Sequence, residues 1–275
     1  MAELFGMAFD TRPAAAVLEA ALATPGSGPR LVVTANLDHV LSLSRTAPFR
    51  AAYAGAALRT LDGMPVVWLA RARGAADVHR VTGHDLWQAL LARPPGGPVF
   101  IVAPDAAAAA GAEAALLAAG AGPVQSVVPP FGFERDVLYG ATLAGSIRQF
   151  GTAVLLMGVG APKSEIWVHQ QGVALGNPVA LCIGEALAVG AGLQVMSALM
   201  DANVTALAGP KGRHDAARMA VRYGTGPGSV TLGGRRAESR FIEVRTSPCA
   251  PMATRNPTMS RSSAARTKTA SCCVS

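Results

Sequence analysis

Short, almost wholly apolar runs recur along this chain, each closed by a glycine, a proline or a small polar residue and followed by a segment with helical spacing. Leu31–Val33, Ala57–Leu61, the GPVFIVAP stretch, Ala153–Met157 and Val179–Ile183 have the length and continuous apolarity of strands buried on both faces. Between them lie predicted helices over 13–23, after Asn36, over 46–54, after Pro65, after Thr82, after Asp105, near 136–149, after Pro162 and after Gly184. Several carry their own start signals. Asn36 and Asp105 are N-cap residues, Thr82 and Asp85 have capping-box spacing, and Pro65 and Pro162 stand where a first helical turn tolerates a missing N–H. GPVQSVV predicts a further strand that runs into a PPFGF loop. Strands alternating with helices imply right-handed crossovers. The expected fold is therefore α/β, a Rossmann-like, doubly wound, mostly parallel sheet with helices on both faces.

Charge changes the picture at one end only. The chain has 275 residues and a formal net charge of +7, but residues 1–200 hold 12 basic and 13 acidic side chains while 201–275 hold 12 and 4. Residues 208–275 are rich in Gly, Pro, Ser, Thr, Arg and Ala and lack apolar periodicity. Such composition predicts disorder for most of that stretch. We therefore expect a folded domain over 1–200 and a basic tail over 201–275. Although 51% of residues are hydrophobic, no run approaches the roughly 18 apolar residues that a membrane-spanning helix needs. The opening MAELFGMAFD has no basic n-region, which predicts a cytoplasmic protein. Cys182 falls in an apolar run, Cys249, Cys272 and Cys273 fall in the tail, and their spacing supports neither a zinc site nor a disulfide framework.

Candidate chemistry collects at the carboxyl ends of the predicted strands, the edge where open α/β sheets bind ligands. Asp62 ends one strand, with Thr34 and Asn36 at the end of another. A carboxylate beside a hydroxyl and an amide can hold a sugar and take a proton from it. Arg80 precedes a helix N-terminus, and a guanidinium beside exposed backbone donors suits a diphosphate. Gly158-Val159-Gly160 allows close backbone approach, and Lys163 adds charge where a dinucleotide fingerprint would have its third glycine. Each residue also has a plainer reading: a turn for Asp62, a cap for Asn36, a solvated side chain for Arg80. Glu165 and Trp167 read as a first-turn acid and a packing residue.

The segments together are more specific than any one of them. TANLDHV (34–40), LDGMPVVW (61–68), RVTGHDL (80–86), PPFGF (129–133), GVGAPKSEIW (158–167) and IGEALAVGAG (183–192) stand in the order and spacing of the WecG/TagA/CpsF family of bacterial glycosyltransferases, which the chain resembles over roughly residues 3–193. The resemblance implies metal-independent, inverting transfer of a hexose or N-acetylhexosamine, typically N-acetylmannosamine, from a UDP-sugar. The implied acceptor is a sugar carried on a polyprenyl diphosphate, in teichoic acid or other cell-surface polysaccharide synthesis. It implies no cofactor, since UDP-sugar is a co-substrate, and it suggests a peripheral position on the inner face of the cytoplasmic membrane, with a homo-oligomer allowed. By the same resemblance Asp62 matches the proposed base, Thr34 and Asn36 the polar positions beside it, and Arg80 the arginine near the diphosphate. Asp38, Gly83, Asp85, Gly158, Gly160, Lys163, Ser164 and Glu185 fall in the matched blocks and are expected on the substrate-binding side.

The chain also departs from that pattern. Ser164 stands where the family usually has Gln, Leu187-Ala188 where it commonly has Phe-Asp, and beyond Leu193 the usual Arg-Ala-Pro-x-Trp segment and basic amphipathic helices have no counterpart. A catalytically silent UDP-sugar-binding homologue is the alternative this raises. A nicotinamide-dependent oxidoreductase lacks both the third glycine and an acidic ribose partner at the right distance. Nucleic acid is not expected as a partner, because the tail has no grouped aromatics for stacking.

Overall fold

The computed structural model describes residues 1–24, 26–184, 186–187, 201–206, 208–209, 220–232 and 235–246. The chain divides into two compact units, Met1–Ala191 and Gly192–Ser275.

The first unit is built on a six-stranded parallel sheet. Its strands are β3 (Arg30–Ala35), β4 (Leu58–Leu61), β5 (Val99–Val102), β6 (Val124–Val127), β7 (Val154–Met157) and β8 (Val179–Cys182), in the order β4-β3-β8-β7-β5-β6. All five pairings are parallel. Alternation along each strand feeds two cores. Leu31, Val33, Phe100, Val102, Leu155, Met157, Ala180 and Cys182 face one core; Val32, Val99, Ile101, Val154, Leu156, Val179 and Leu181 face the other. The first core is closed by residues of α2 (Leu37–Arg45), α3 (Ala47–Ala54), α4 (Met64–Ala72), α7 (Val137–Gln149) and α8 (Lys163–Gln171). The second is closed by α1 (Ala14–Ala23), α5 (Gly83–Ala92) and α6 (Ala106–Ala118). Continuous apolar strands follow directly, because both faces of the sheet are buried.

Helix starts agree with their sequence signals. Asn36 accepts from the His39 N–H at 2.9 Å, Asp105 from the Ala108 N–H at 2.8 Å, and Thr82 and Asp85 form a complete capping box. Gly63 caps α4 with Pro65 in its first turn.

Two segments depart from expectation. The polar opening forms a hairpin, β1 (Ala2–Leu4) with β2 (Met7–Phe9), whose two-residue turn places both Phe5 (φ 54°) and Gly6 (φ 70°) in the left-handed region. Leu4 and Phe9 from that hairpin are buried in the first core. In the second unit, Ala220–Leu232 (β9) pairs antiparallel with Arg235–Thr246 (β10), inside the stretch whose composition predicts disorder. Residues 247–275, where disorder is also expected, lie outside the described residues. Among the described residues no helix is long and apolar enough to cross a membrane.

Candidate active site

Asp62 follows directly on β4, at the carboxyl edge of the sheet, and is half-buried. Its backbone N–H donates to the Ala35 carbonyl at 2.8 Å, extending the β3–β4 pairing by one step past the strand. Gly63 comes next, and a Cβ built on it would lie 3.5 Å from the Asn36 Cα. The two strand-to-helix turns therefore touch, bringing the half-buried Asn36 beside the Asp62 turn, with Thr34 buried two residues back in β3. The amide oxygen of Asn36 is engaged as the cap of α2. Asp38, in the first turn of that helix, is exposed.

A second segment runs alongside. The Val81 N–H donates to the Leu61 carbonyl at 2.8 Å, and the Thr60 hydroxyl donates to the Val81 carbonyl at 3.0 Å. Arg80 is thus held by backbone next to the end of β4, with its side chain exposed and no ion pair to it among the described residues. The chain then enters α5 against β8. A Cβ on Gly83 would meet the Ile183 carbonyl oxygen at 2.5 Å and its Cα at 3.0 Å, so only glycine fits this crossing. Asp85 accepts from the Thr82 N–H at 2.8 Å and from its hydroxyl at 2.8 Å, and this occupies it as a helix cap.

The glycine loop completes the edge. Gly158 is fixed by its N–H to the Val102 carbonyl at 2.8 Å and packs so closely on Leu187 that a Cβ would sit 2.4 Å from Leu187 Cδ1. Gly160 has φ 86°, a left-handed conformation that glycine adopts without strain, and a Cβ on Gly184 would lie 4.0 Å from the Gly160 Cα. Lys163 opens α8 and is half-buried. Ser164 is buried, and its hydroxyl donates to the Gly160 carbonyl at 2.9 Å, so it braces the loop. Glu185 lies outside the described residues. The structure therefore draws Thr34, Asn36, Asp62, Arg80, Gly83, Gly158, Gly160 and Lys163 to one sheet edge, while Asp85 and Ser164 serve local backbone geometry and Asp38 faces solvent.

Beneath this edge is a polar cluster that no sequence pattern announces. The Tyr53 hydroxyl lies 2.7 Å from His39 Nδ1 and donates to the Thr34 carbonyl at 3.2 Å. Burial holds the pKa of His39 below the usual histidine value. Burial, then the charges of Glu165, Cys182 and Asp62, push the Tyr53 phenol well up. Glu165 is only 2% exposed, and burial raises its carboxyl to about 7. Its Oε2 has no hydrogen-bond partner. The first-turn position explains why Glu165 reads from sequence as a helix-end acid. The signal that contradicts this is its place one helical turn before Val168, on the stripe that α8 buries.

Among the described residues no group of three or more His, Cys, Asp and Glu side chains is placed to hold a metal ion. The edge offers instead one carboxylate, two cations and the backbone donors of two helix starts. Residues 2–200 match the family model described as the glycosyl transferase WecG/TagA/CpsF family.

Proposed function

This chain belongs to the WecG/TagA/CpsF family of glycosyltransferases, and from that premise we propose that it moves a hexose or N-acetylhexosamine, of the N-acetylmannosamine type, from a UDP-sugar onto a sugar linked to a polyprenyl diphosphate, with inversion. The observation that supports this reading is the contact between the Asp62 and Asn36 turns at the same edge as the α5 and α8 starts. Inversion by direct displacement needs one base on the acceptor side and positive groups on the departing diphosphate. In this reading Asp62 removes the acceptor hydroxyl proton as the oxygen attacks the anomeric carbon. Thr34 and Asn36 line the sugar side. Arg80, Lys163 and the amides after Gly158 and Gly160 receive the negative charge that gathers on UDP as the bond breaks. Such a set of cations and amides does the work that a bound cation performs elsewhere. The acceptor's lipid places the protein at the cytoplasmic membrane surface.

A silent UDP-sugar-binding protein is the second reading. It is favoured by Leu187, which is 1% exposed and packs behind Gly158 beside the position where the family commonly carries an acid. One experiment separates the two. A panel of UDP-sugars is offered with a short-chain polyprenyl-diphosphate-linked N-acetylglucosamine, and binding and product are followed in parallel. Product from one donor supports the transferase; UDP-sugar binding without product from any donor supports the silent homologue.

A further inference from the structure

Glu165 is not accounted for by the reaction just described. It lies in α8, which packs on α3, β3 and β8, and its carboxyl is 98% removed from solvent by its 2% exposure while Oε2 has no partner. A structural acid at a helix start normally faces water, where its charge is stabilised. This one has its own backbone N–H as a donor and is otherwise buried where α8 packs on α3 and β8, its charge reaching Tyr53 of α3 and Cys182 of β8. A connected path leads from that neighbourhood to the catalytic edge. Tyr53 anchors the Thr34 carbonyl at 3.2 Å, the next residue, Ala35, accepts the Asp62 N–H at 2.8 Å, and Tyr53 also senses the Asp62 carboxylate.

We propose that Glu165 is a positioning residue for the transfer reaction, acting on Asp62 through Tyr53 and the end of β3. The inference rests on the proposed role of Asp62. An uncharged carboxyl lets Asp62 be the one anionic side chain of the cluster, at an edge that must also accept an anionic donor. Ionised, Glu165 would set a second negative charge under that edge, opposing the charge that develops on the diphosphate. Its raised pKa agrees with this assignment. The titratable groups its charge reaches are Tyr53 from α3 and Cys182 from β8, with His39 beyond Tyr53 and Asp62 at the strand end; of the other elements packed on α8, β3 carries Arg30 at its start and α7 carries Tyr139 and Arg148. Burial holds Tyr53 and Cys182 well above their ordinary values and His39 below its own, and raises Glu165 to about 7.

The test compares kcat and KM for wild type, Glu165→Gln and Asp62→Asn from pH 5.5 to 8.5, alongside infrared titration of the carboxylic-acid C=O band. Glutamine keeps the shape of the acid form and cannot ionise. The expected result is a wild-type kcat that falls tenfold or more through about pH 7. In Glu165→Gln that fall is absent, turnover at pH 6 stays within threefold of wild type, and the donor KM is unchanged. A buried acid band titrating near 7 is expected in wild type and in Asp62→Asn, which carries the test even where Glu165→Gln does not fold. The same alkaline fall in Glu165→Gln, a folded Glu165→Gln inactive at pH 6, or no such band in wild type would overturn the proposal. Full activity in Asp62→Asn would refute the role of Asp62 instead, and the band would still report on Glu165.

Discussion

The Asp62 N–H donates to the Ala35 carbonyl at 2.8 Å, which locks the turn bearing the candidate base to the strand bearing Thr34 and leading into Asn36. The site is therefore stiff at its centre. Its carboxylate is carried on backbone that continues a parallel ladder, and a rigid mount preserves the reach a general base requires.

Gly83 is the first place where this geometry can be challenged. A methyl group there would meet the Ile183 carbonyl at 2.5 Å, and backbone atoms cannot swing aside as a side-chain tip can. Gly83→Ala is expected to lose about 1–3 kcal/mol by overpacking and to raise the donor KM by shifting the start of α5. Denaturant unfolding and steady-state kinetics measure the two effects.

Removing the cap of the same helix should act more gently. Thr82→Ala deletes the hydroxyl that accepts the Asp85 N–H at 3.0 Å and breaks the reciprocal box. The expected loss is about 1 kcal/mol, read as a lowered midpoint in urea with an unchanged m-value.

Arg80 offers the opposite case, an exposed side chain on fixed backbone. Arg80→Gln should leave the thermal midpoint within about 1 °C, since surface changes away from special features cost little. UDP-sugar affinity should fall about tenfold or more, the scale of one lost charge-assisted contact. Calorimetric titration with UDP and thermal unfolding provide both readings.

Glu165 gives stability a distinct pH dependence. Its folded-state pKa, about 7, lies above the ordinary 4.5, so its favourable contribution is complete below 4.5 and is lost as pH rises through 7. Relative to wild type, Glu165→Gln should gain stability across that window, on the order of 3 kcal/mol at pH 8. Urea unfolding of both proteins at pH 5 and pH 8 measures the difference.

The framework of the first unit was legible because its signals are local and repeated. Val154–Met157 and Val179–Cys182 are apolar throughout, as strands covered on both faces must be, and Asn36, Thr82 and Asp105 cap the helices they announce. Asp62 was legible for the same reason, since an acid at the end of a buried strand can only lie at the sheet edge. The opening hairpin was not, because its turn puts Phe5 at a positive φ that a non-glycine residue rarely adopts and that no sequence pattern marks. The spacing of Glu165 from Val168 marks the stripe that α8 buries, but the partner that covers it is α3, a segment more than a hundred residues away in the chain, and no local pattern names that partner. Residues 220–246 pair as two strands within a stretch whose composition, averaged over its length, carries no apolar periodicity.

The most direct measurement is single-turnover sugar transfer by Asp62→Asn beside wild type, with donor binding measured on the same samples. Loss of a general base costs about 10²–10⁴ in rate, so transfer should fall by at least a hundredfold while UDP-sugar affinity stays within a few-fold. Transfer by the variant at a rate near that of wild type would contradict the assignment of Asp62 as the group that ionises the acceptor.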